Sequence, residues 1–467
     1  MKSNSSFLKN GAIAVSQPRR VAAINLARRV SEELDVRFGK DVGYTIRFDD
    51  FSEPTTKIRY ITDGCLVREF ISDPTLSRYS VVMLDEAHER SINSDILFGL
   101  CKQLLVKRPE LRLIISSATL DIDHFHHFYP EAAVLTITGR MYPVAVFHSK
   151  SELAETQDEA IMRSLKTFQQ IHKREPGHVL LFLPGQAEIE KAVQLVEDWY
   201  EEASRQDASL PPLRVFPLYA SLPAELQARV FDSVPQGTRK LIIATNIAET
   251  SLTIPGIRYV IDPGFTREKR YDANTGIDFL QTTKISQISA QQRAGRAGRT
   301  GPGKCFRLYN SNVYNMMVQS PEPEIRRVSL LSTMLYLKTV GIDDVLAFDY
   351  LDAPSSESMS IALKQLFIMG ALDAEGHVTP LGKRLSSLPL DPQLSKMILV
   401  GCSEGCVEEA MIISSMLSVD RVFYSFSPRQ VASERCQRLL RRQKRLMSEL
   451  GDHFTYLNMY DNEGTLS

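Results

Sequence analysis

Short apolar runs alternate with helix-length segments through the first third of the chain. AIAVS (12–16) is followed by an amphipathic stretch from Val21 to Phe38, and then by KIRYIT, VVMLD, LRLIISS and AVLTI. Runs this short, separated by segments with a helical period, predict a parallel sheet covered by helices on both faces. A second set follows the stretch GRMYPVAVFHS: HVLLFL, a helix from Ala187 to Glu202, LRVFPLYA, KLIIAT and IRYVIDPG. Two similar α/β units are therefore expected. Between Pro263 and Ser286 the segment FTREKRYDANTGIDFLQTTKI carries the turn signal DANTG at its middle, which predicts a hairpin from Phe265 to Ile285 leaving the second unit.

Beyond about Asn310 the strand signal fades. Helical runs at Val328–Val340 and Ser356–Met369 precede GALDAEGHVTPLGKRLSSLPL, which reads as a helix end, a turn, a short strand and more helix: a small helical domain with a wing. From Pro392 the pattern is helical, including the basic run ERCQRLLRRQKRLMSEL. Leu439, Leu440, Leu446 and Leu450 give that run a separate apolar side, so its charges fit a solvated helix face better than a nucleic-acid patch. The pattern divides the chain at 1–148, 149–311, 312–391 and 392–467.

Composition narrows the class. A chain of 467 residues exceeds what one core supports, and 43% hydrophobic with 24% charged residues is ordinary for a globular protein. The formal net charge of -1 offers no global attraction to nucleic acid, so any such binding must use a local basic cleft. No apolar run approaches a membrane span, and the start MKSNSSFLKNG lacks a signal-peptide core, which points to an intracellular protein with no membrane partner. The six cysteines are scattered as reduced thiols would be; Cys402 and Cys406 form the closest pair, without the second pair or histidine cluster that zinc needs.

The candidate chemistry begins at LDEAHER (84–90), where Asp85 and Glu86 end a buried apolar run. At the carboxyl edge of an open α/β sheet an acid can hold a phosphate-bound Mg²⁺, and its neighbour can take the proton of an attacking water. An isolated acid pair is better explained by a solvated helix start. Four further stretches argue for the chemistry. SSAT (116–119) places hydroxyls after the next strand; QQRAGRAGR (291–299) repeats Arg293, Arg296 and Arg299 every three residues with small residues between; ATNIAETSLTIPG (244–256) is a polar loop after a buried strand; QPRRVAA (17–23) puts two arginines at a helix start. Guanidiniums delivered on one short helix suit developing phosphate charge, and a structural ion-pair helix is the competing explanation.

Together, and in this order, the stretches resemble the superfamily 2 helicases, and specifically the DEAH-box RNA helicases. QPRRVAA is similar to motif Ia, TDGCLVRE (62–69) to Ib, DEAH to II, SAT to III, LFLPGQAEI (181–189) to IV, ATNIAETSLTI to V and QQRAGRAGR to VI, a resemblance running from about Gly11 to Tyr460. It implies two RecA-like parallel-sheet domains, then a winged-helix domain and a partial helical ratchet domain, with ATP or another NTP and Mg²⁺ as cofactors. By this match Asp85 would hold the metal, Glu86 would activate water, and His88 would couple the metal site to motif VI. Gln292, Arg296 and Arg299 would meet the γ-phosphate, Arg29 and Phe231 would sandwich the base, and Ser117, Thr119 and Thr253 would line the nucleotide. Single-stranded RNA would run along Arg19, Arg20, Thr62, Asp63, Gly64, Thr245 and Asn246. The resemblance also implies an activating protein partner and a nuclear or nucleolar location rather than a cytoplasmic one.

The pattern departs from the family in three places. No G-x-x-x-x-G-K-[ST] loop occurs; GPGKC (301–305) has the lysine but no hydroxyl after it and follows motif VI. A strand, such a loop, a helix and the next strand need about 30 residues or more, whereas 16 precede Gln17. The expectation is a chain that starts inside the helix after that loop and stops near GDHFTYLNMYD (451–461), within the ratchet domain and before the oligonucleotide-binding fold. Pro255 stands where relatives often carry an acid that contacts ribose. Two functions follow: an ATP-dependent RNA helicase seen in part, inactive as these residues alone, or a non-catalytic product that binds RNA or a partner.

Overall fold

The computed structural model describes residues 11–118, 122–137, 139, 142–174, 176–250, 254–273, 275–418, 422–423 and 434–461. The chain divides into two compact units, Met1–Ser329 with Phe348–Ser355, and Leu330–Ala347 with Ser356–Ser467.

The first unit holds two six-stranded sheets. In the first sheet, strands β1 (Ala12–Gln17), β2 (Val42–Ile46), β3 (Asp49–Phe51), β4 (Ile58–Thr62), β5 (Tyr79–Leu84) and β6 (Arg112–Ile115) lie in the order β3-β2-β4-β1-β5-β6. All its neighbours are parallel except β2 and β3. Helices α1 (Arg20–Glu33), α2 (Asp63–Ser72), α3 (Ile92–Lys107) and α4 (Ile122–Phe128) connect and flank these strands. The near-continuous apolar sequence of β1 and β5 is what a strand buried on both faces requires. AVLTI (133–137), expected as a strand, forms none: Val134, Leu135 and Ile137 are exposed. A β-branched run becomes a strand only against a hydrogen-bonding neighbour, and among the described residues this one has none.

The second sheet has the order β7-β14-β11-β8-β10-β9, all parallel. Its members are β7 (Val144–His148), β8 (His178–Phe182), β9 (Leu213–Leu218), β10 (Arg239–Ala244), β11 (Ile257–Asp262) and β14 (Gly303–Arg307). β7 lies within GRMYPVAVFHS, the stretch ahead of the second set of apolar runs, and joins the second sheet through β14. Helix α5 (Gln157–Arg174) and α6 (Gln186–Gln206) pack Phe168, Ile189 and Val196 onto one face of β8 and β10. The other face buries Leu180, Phe182 and Ile242 with Ala294 and Ala297, and Val21 from α1 packs against the same cluster. The hairpin forms as expected, β12 (Phe265–Asp272) pairing antiparallel with β13 (Ile277–Lys284).

The second unit is helical, with Leu331–Val340, Ser356–Ile368, Pro380–Ser387, Pro392–Glu404, Val407–Leu417, Glu434–Leu446 and Asp452–Asp461. A single antiparallel bridge, Leu372 with Val378, makes the wing, and the Thr379 hydroxyl caps the next helix by accepting from the Gly382 amide at 3.0 Å.

Candidate functional site

Strand register brings the first four motifs to one edge. Gln17 pairs with Thr62, Ser16 with Leu84, and Leu84 with Ile115, so QPRR, TDG, DEAH and SSA all leave the sheet at its carboxyl end. The chain turns sharply after β5: Glu86 and Arg90 both adopt left-handed backbone, φ 55° and 48°, on either side of a 3-10 turn at Ala87–Glu89. Such conformations cost about 1 kcal/mol or more each in a non-glycine residue. They are held by neighbours: Asp85 N donates to the Ser16 carbonyl (3.2 Å), Ala87 N to the Ser116 carbonyl (3.0 Å), and Arg90 grips Asp95 (2.7 Å) and Asp352 (2.6 Å).

The Asp85 carboxylate is aimed by two donors, Gln17 Nε2 at 2.7 Å and the Glu86 amide at 2.9 Å. Burial first, and then the charges of Asp85 and Glu89, push the Glu86 carboxyl up to about 7, against the pull of Arg296 and Arg19. Burial lowers the pKa of His88 below its ordinary value. The Ala118 amide donates to its Nδ1 (3.4 Å), which leaves the ring proton on Nε2, 3.4 Å from Glu86 Oε2. Ser117 Oγ lies 3.3 Å from the same Nδ1, so motif III touches motif II through the histidine. Thr119 and Thr253 fall outside the described residues.

The second sheet supplies the opposite wall. Motif VI occupies α8 (Gln287–Gly295) and a 3-10 turn at Arg296–Gly298. Its three arginines divide. Arg293 is buried and fully engaged, with Glu249 at 2.7 Å, Asp262 at 2.8 Å, the Phe265 carbonyl at 3.0 Å and the Phe182 ring 4.7 Å from its guanidinium carbon. Arg296 reaches the Thr250 carbonyl at 3.4 Å; burial and the adjacent Arg299 press its guanidinium down to about 9, while Glu86 and Glu249 act against them. Arg299 is lowered too, by desolvation, with Glu86 opposing. Two guanidiniums brought together and partly stripped of water form a place that an anion stabilises.

The two walls touch through Glu89 and Arg19. The Arg19 guanidinium bonds Glu89 (3.1 Å) and the Ile247 carbonyl (2.9 Å), and the Thr250 hydroxyl donates to Glu89. Glu89 and Gln17 are site residues that sequence reasoning missed, because neither has a distinguishing pattern; only their position beside an acid pair and an arginine pair could have drawn attention.

The residues expected along RNA fall into two groups. Arg20 and Asn246 are exposed, and Gly64 and Thr245 are half-buried at the same edges. Thr62 is buried, and Asp63 is 4% exposed with its carboxylate accepting from Ser16, Ser91 (3.2 Å) and Ser94 (2.7 Å), so its side chain faces the protein. For the base, Arg29 bonds Glu33 on its own helix at 2.6 Å and Phe231 is 38% exposed; among the described residues no contact joins them. Gln292 is half-buried on α8.

This geometry agrees with what the chain is similar to. The helicase conserved C-terminal domain profile matches residues 159–301, the winged-helix helicase-associated domain 362–390 and the ratchet-like helicase-associated domain 391–456. The pre-mRNA-splicing factor ATP-dependent RNA helicase prp22 of Schizosaccharomyces pombe is 47% identical over 450 residues, covering 96% of this chain and 37% of that protein. The chain belongs to the DEAH-box helicases of superfamily 2. The crystal structure of the Escherichia coli DEAH/RHA helicase HrpB superposes with a TM-score of 0.79 at 34% identity, over 93% of this chain and 55% of that one. A second structure, of the E. coli DExH-box NTPase HrpB, gives 0.77 at 34% identity, over 93% and 53%. The DEAH-box chain thus spans between about a third and just over half the length of these relatives.

Proposed function

We propose that this chain forms the motor portion of an ATP-dependent RNA helicase, which couples nucleoside triphosphate hydrolysis to movement along single-stranded RNA and to the remodelling of RNA or RNA–protein complexes. The observation that carries the reading is the approach of Arg296 and Arg299 from one sheet to Glu86 of the other. A triphosphate between such walls would meet a base for its attacking water and positive charge for its γ-phosphate, with Gln292 beside them. The residues present fit Mg²⁺. Asp85 is an oriented hard oxygen donor, and the acidic Glu86 and Glu89 stand within electrostatic reach of one another beside it. A single carboxylate plus substrate phosphates is the usual way this ion is held. When bound it would neutralise phosphate charge.

Within this reading Glu86 accepts the proton of water, His88 relays the state of Glu86 to Ser117, and Arg29 and Phe231 close on the base. Arg20, Asn246, Thr245 and Gly64 face the RNA backbone, while Arg19, Thr62 and Asp63 position that edge from beneath. The four-part division at 148, 311 and 391, shifted so that β7 joins the second part, describes the modules. The similarity to a splicing factor supports a nuclear location, and an activating protein partner belongs to the same proposal. One observation favours a binding-only role for these residues by themselves: they contain no G-x-x-x-x-G-K-[ST] loop.

Filter binding of homopolymeric and mixed single-stranded RNA at several salt concentrations tests the RNA half of this reading. Log affinity is expected to fall with log salt at about -0.7 per phosphate contacted, with little sequence preference. Arg20→Ala and Asn246→Ala should each weaken all the RNAs to a similar degree. Salt-independent or tightly sequence-specific binding would overturn it.

A further inference from the structure

β7 is the outer strand of the second sheet. It pairs in parallel with β14, Gly303 opposite Val144 and Arg307 opposite His148, and among the described residues nothing pairs with its other edge. Its sequence, VAVFH, has no proline, no acid, no lysine and no bulge, which are the devices that ordinarily protect a strand edge. Val146 is 40% and Phe147 47% exposed, high values for a strand of a parallel sheet.

Beside this edge lies a cavity of about 400 Å³ between the sheet and α5. Its apolar wall includes Phe147 and Phe306, stacked with centroids 5.4 Å apart and planes at 18°, with Tyr259 and Ile171 beyond them. Lys304, Arg307, His148, Ser149, Thr167 and Gln170 supply its polar side, and no carboxylate lines it. Register fixes the spacing of these features. Phe306 is opposite Phe147 and Lys304 opposite Ala145, so ring pair and lysine stand two residues apart on one face, with the small Ala145 as the edge-strand neighbour of Lys304.

We propose that the free edge of β7 docks an extended segment of a partner protein, which adds as a strand and carries an aromatic side chain two residues from an acid. Main-chain hydrogen bonds to β7 would supply affinity without sequence preference. The aromatic ring entering the cavity against Phe147 and Phe306, and the acid meeting Lys304 across Ala145, would supply specificity. The absence of acids from the lining and the presence of Lys304 select an acidic segment over a basic one. This surface uses none of the motif residues and stands whether or not the chain hydrolyses ATP.

A library of random nonapeptides displayed on phage and selected against the full chain tests the proposal, with a Phe147→Asp, Lys304→Glu double variant for counter-selection. Trp199 emission and thermal melting matching the parent establish that the variants are folded. Enriched peptides should share an aromatic residue two positions from an acid. Lys304→Glu alone should weaken labelled copies by about tenfold, the scale of one lost ion pair turned repulsive, and the double variant should weaken them further. N-methylation of one of the two alternate sets of peptide amides should abolish binding. Failure to enrich any peptide, equal binding to the double variant, or tolerance of both N-methylated sets would overturn strand addition at β7.

Discussion

Two buried side chains carry much of what individual residues contribute. Arg293 sits among Glu249, Asp262 and the Phe265 carbonyl at 1% exposure, and Tyr309 donates to the second oxygen of Asp262 at 2.9 Å. Removing one partner of such a cluster leaves buried charge uncompensated, so Arg293→Ala is expected to cost about 3–5 kcal/mol. Arg293→Lys should recover little, because a compact ammonium cannot make the forked contacts to two acids and a carbonyl. Chemical denaturation followed by Trp199, the only tryptophan of the chain, measures both. The same probe reads His172, whose ring centre lies 5.8 Å from that of Trp199. Burial, assisted by Arg239, pushes His172 down to about 4. The fold therefore favours the neutral ring, its contribution is complete above the unfolded value of about 6.5, and it is lost as pH falls from there toward 4. The parent should lose up to about 3 kcal/mol across that window relative to His172→Phe. Parallel pH profiles for the two proteins would contradict this.

Among the elements, the hairpin of β12 and β13 is anchored at both its base and its middle. Its base is tied by Arg293 to Phe265 and by Arg267 to Glu188 at 2.7 Å, and its middle by Arg327 to the Lys269 carbonyl at 2.8 Å. Ile277, Phe279 and Leu280 on the far strand are exposed, and the Phe279 ring is suited to stacking against a base. In a chain that unwinds RNA, shortening β12 and β13 to a tight turn should reduce unwinding more than ATP hydrolysis, and equal loss of both would assign the hairpin a purely structural role. This element was legible in the sequence because DANTG sits midway between two strand-length segments, and the buried strands around it were legible because their apolar runs are continuous. β7 was not, since VAVFH follows a proline and its pairing partner lies more than 150 residues later in the chain. AVLTI was misleading for the converse reason, a strand sequence with no described neighbour to pair with. At the site, motif order identified the walls, whereas the division of labour among Arg293, Arg296 and Arg299 follows from which of them meets Glu249 and Asp262, and a repeat of three cannot show that.

At the scale of the molecule, the pieces of the proposed nucleotide site come from strands far apart in sequence, and each would be useful only when the others are in place. Asp85 is aimed by Gln17, Glu86 is poised near neutrality by burial and then by its acidic neighbours, and Arg296 and Arg299 stand opposite. In the proposed reaction these groups would stabilise charge and move a proton, a combination worth little until the γ-phosphate is held in line with the attacking water, because positioning and electrostatics supply nearly all the catalysis in phosphoryl transfer. Such positioning normally falls to a G-x-x-x-x-G-K-[ST] loop, whose amides and lysine cradle the phosphates and which these 467 residues do not contain. A polypeptide of these residues alone should therefore hydrolyse ATP no faster than its Glu86→Gln counterpart, with or without RNA. Fusing a strand, a GxxxxGK[ST] loop and the start of a helix ahead of β1 should raise RNA-stimulated turnover well above that baseline, and Glu86→Gln in the fusion should remove the gain while leaving RNA binding intact. The guanidiniums of Arg296 and Arg299 cannot replace the loop, since they approach from the second sheet and need a bound triphosphate to close upon. Turnover by the unfused chain that exceeds its Glu86→Gln control would mean that another segment of these residues cradles the phosphates.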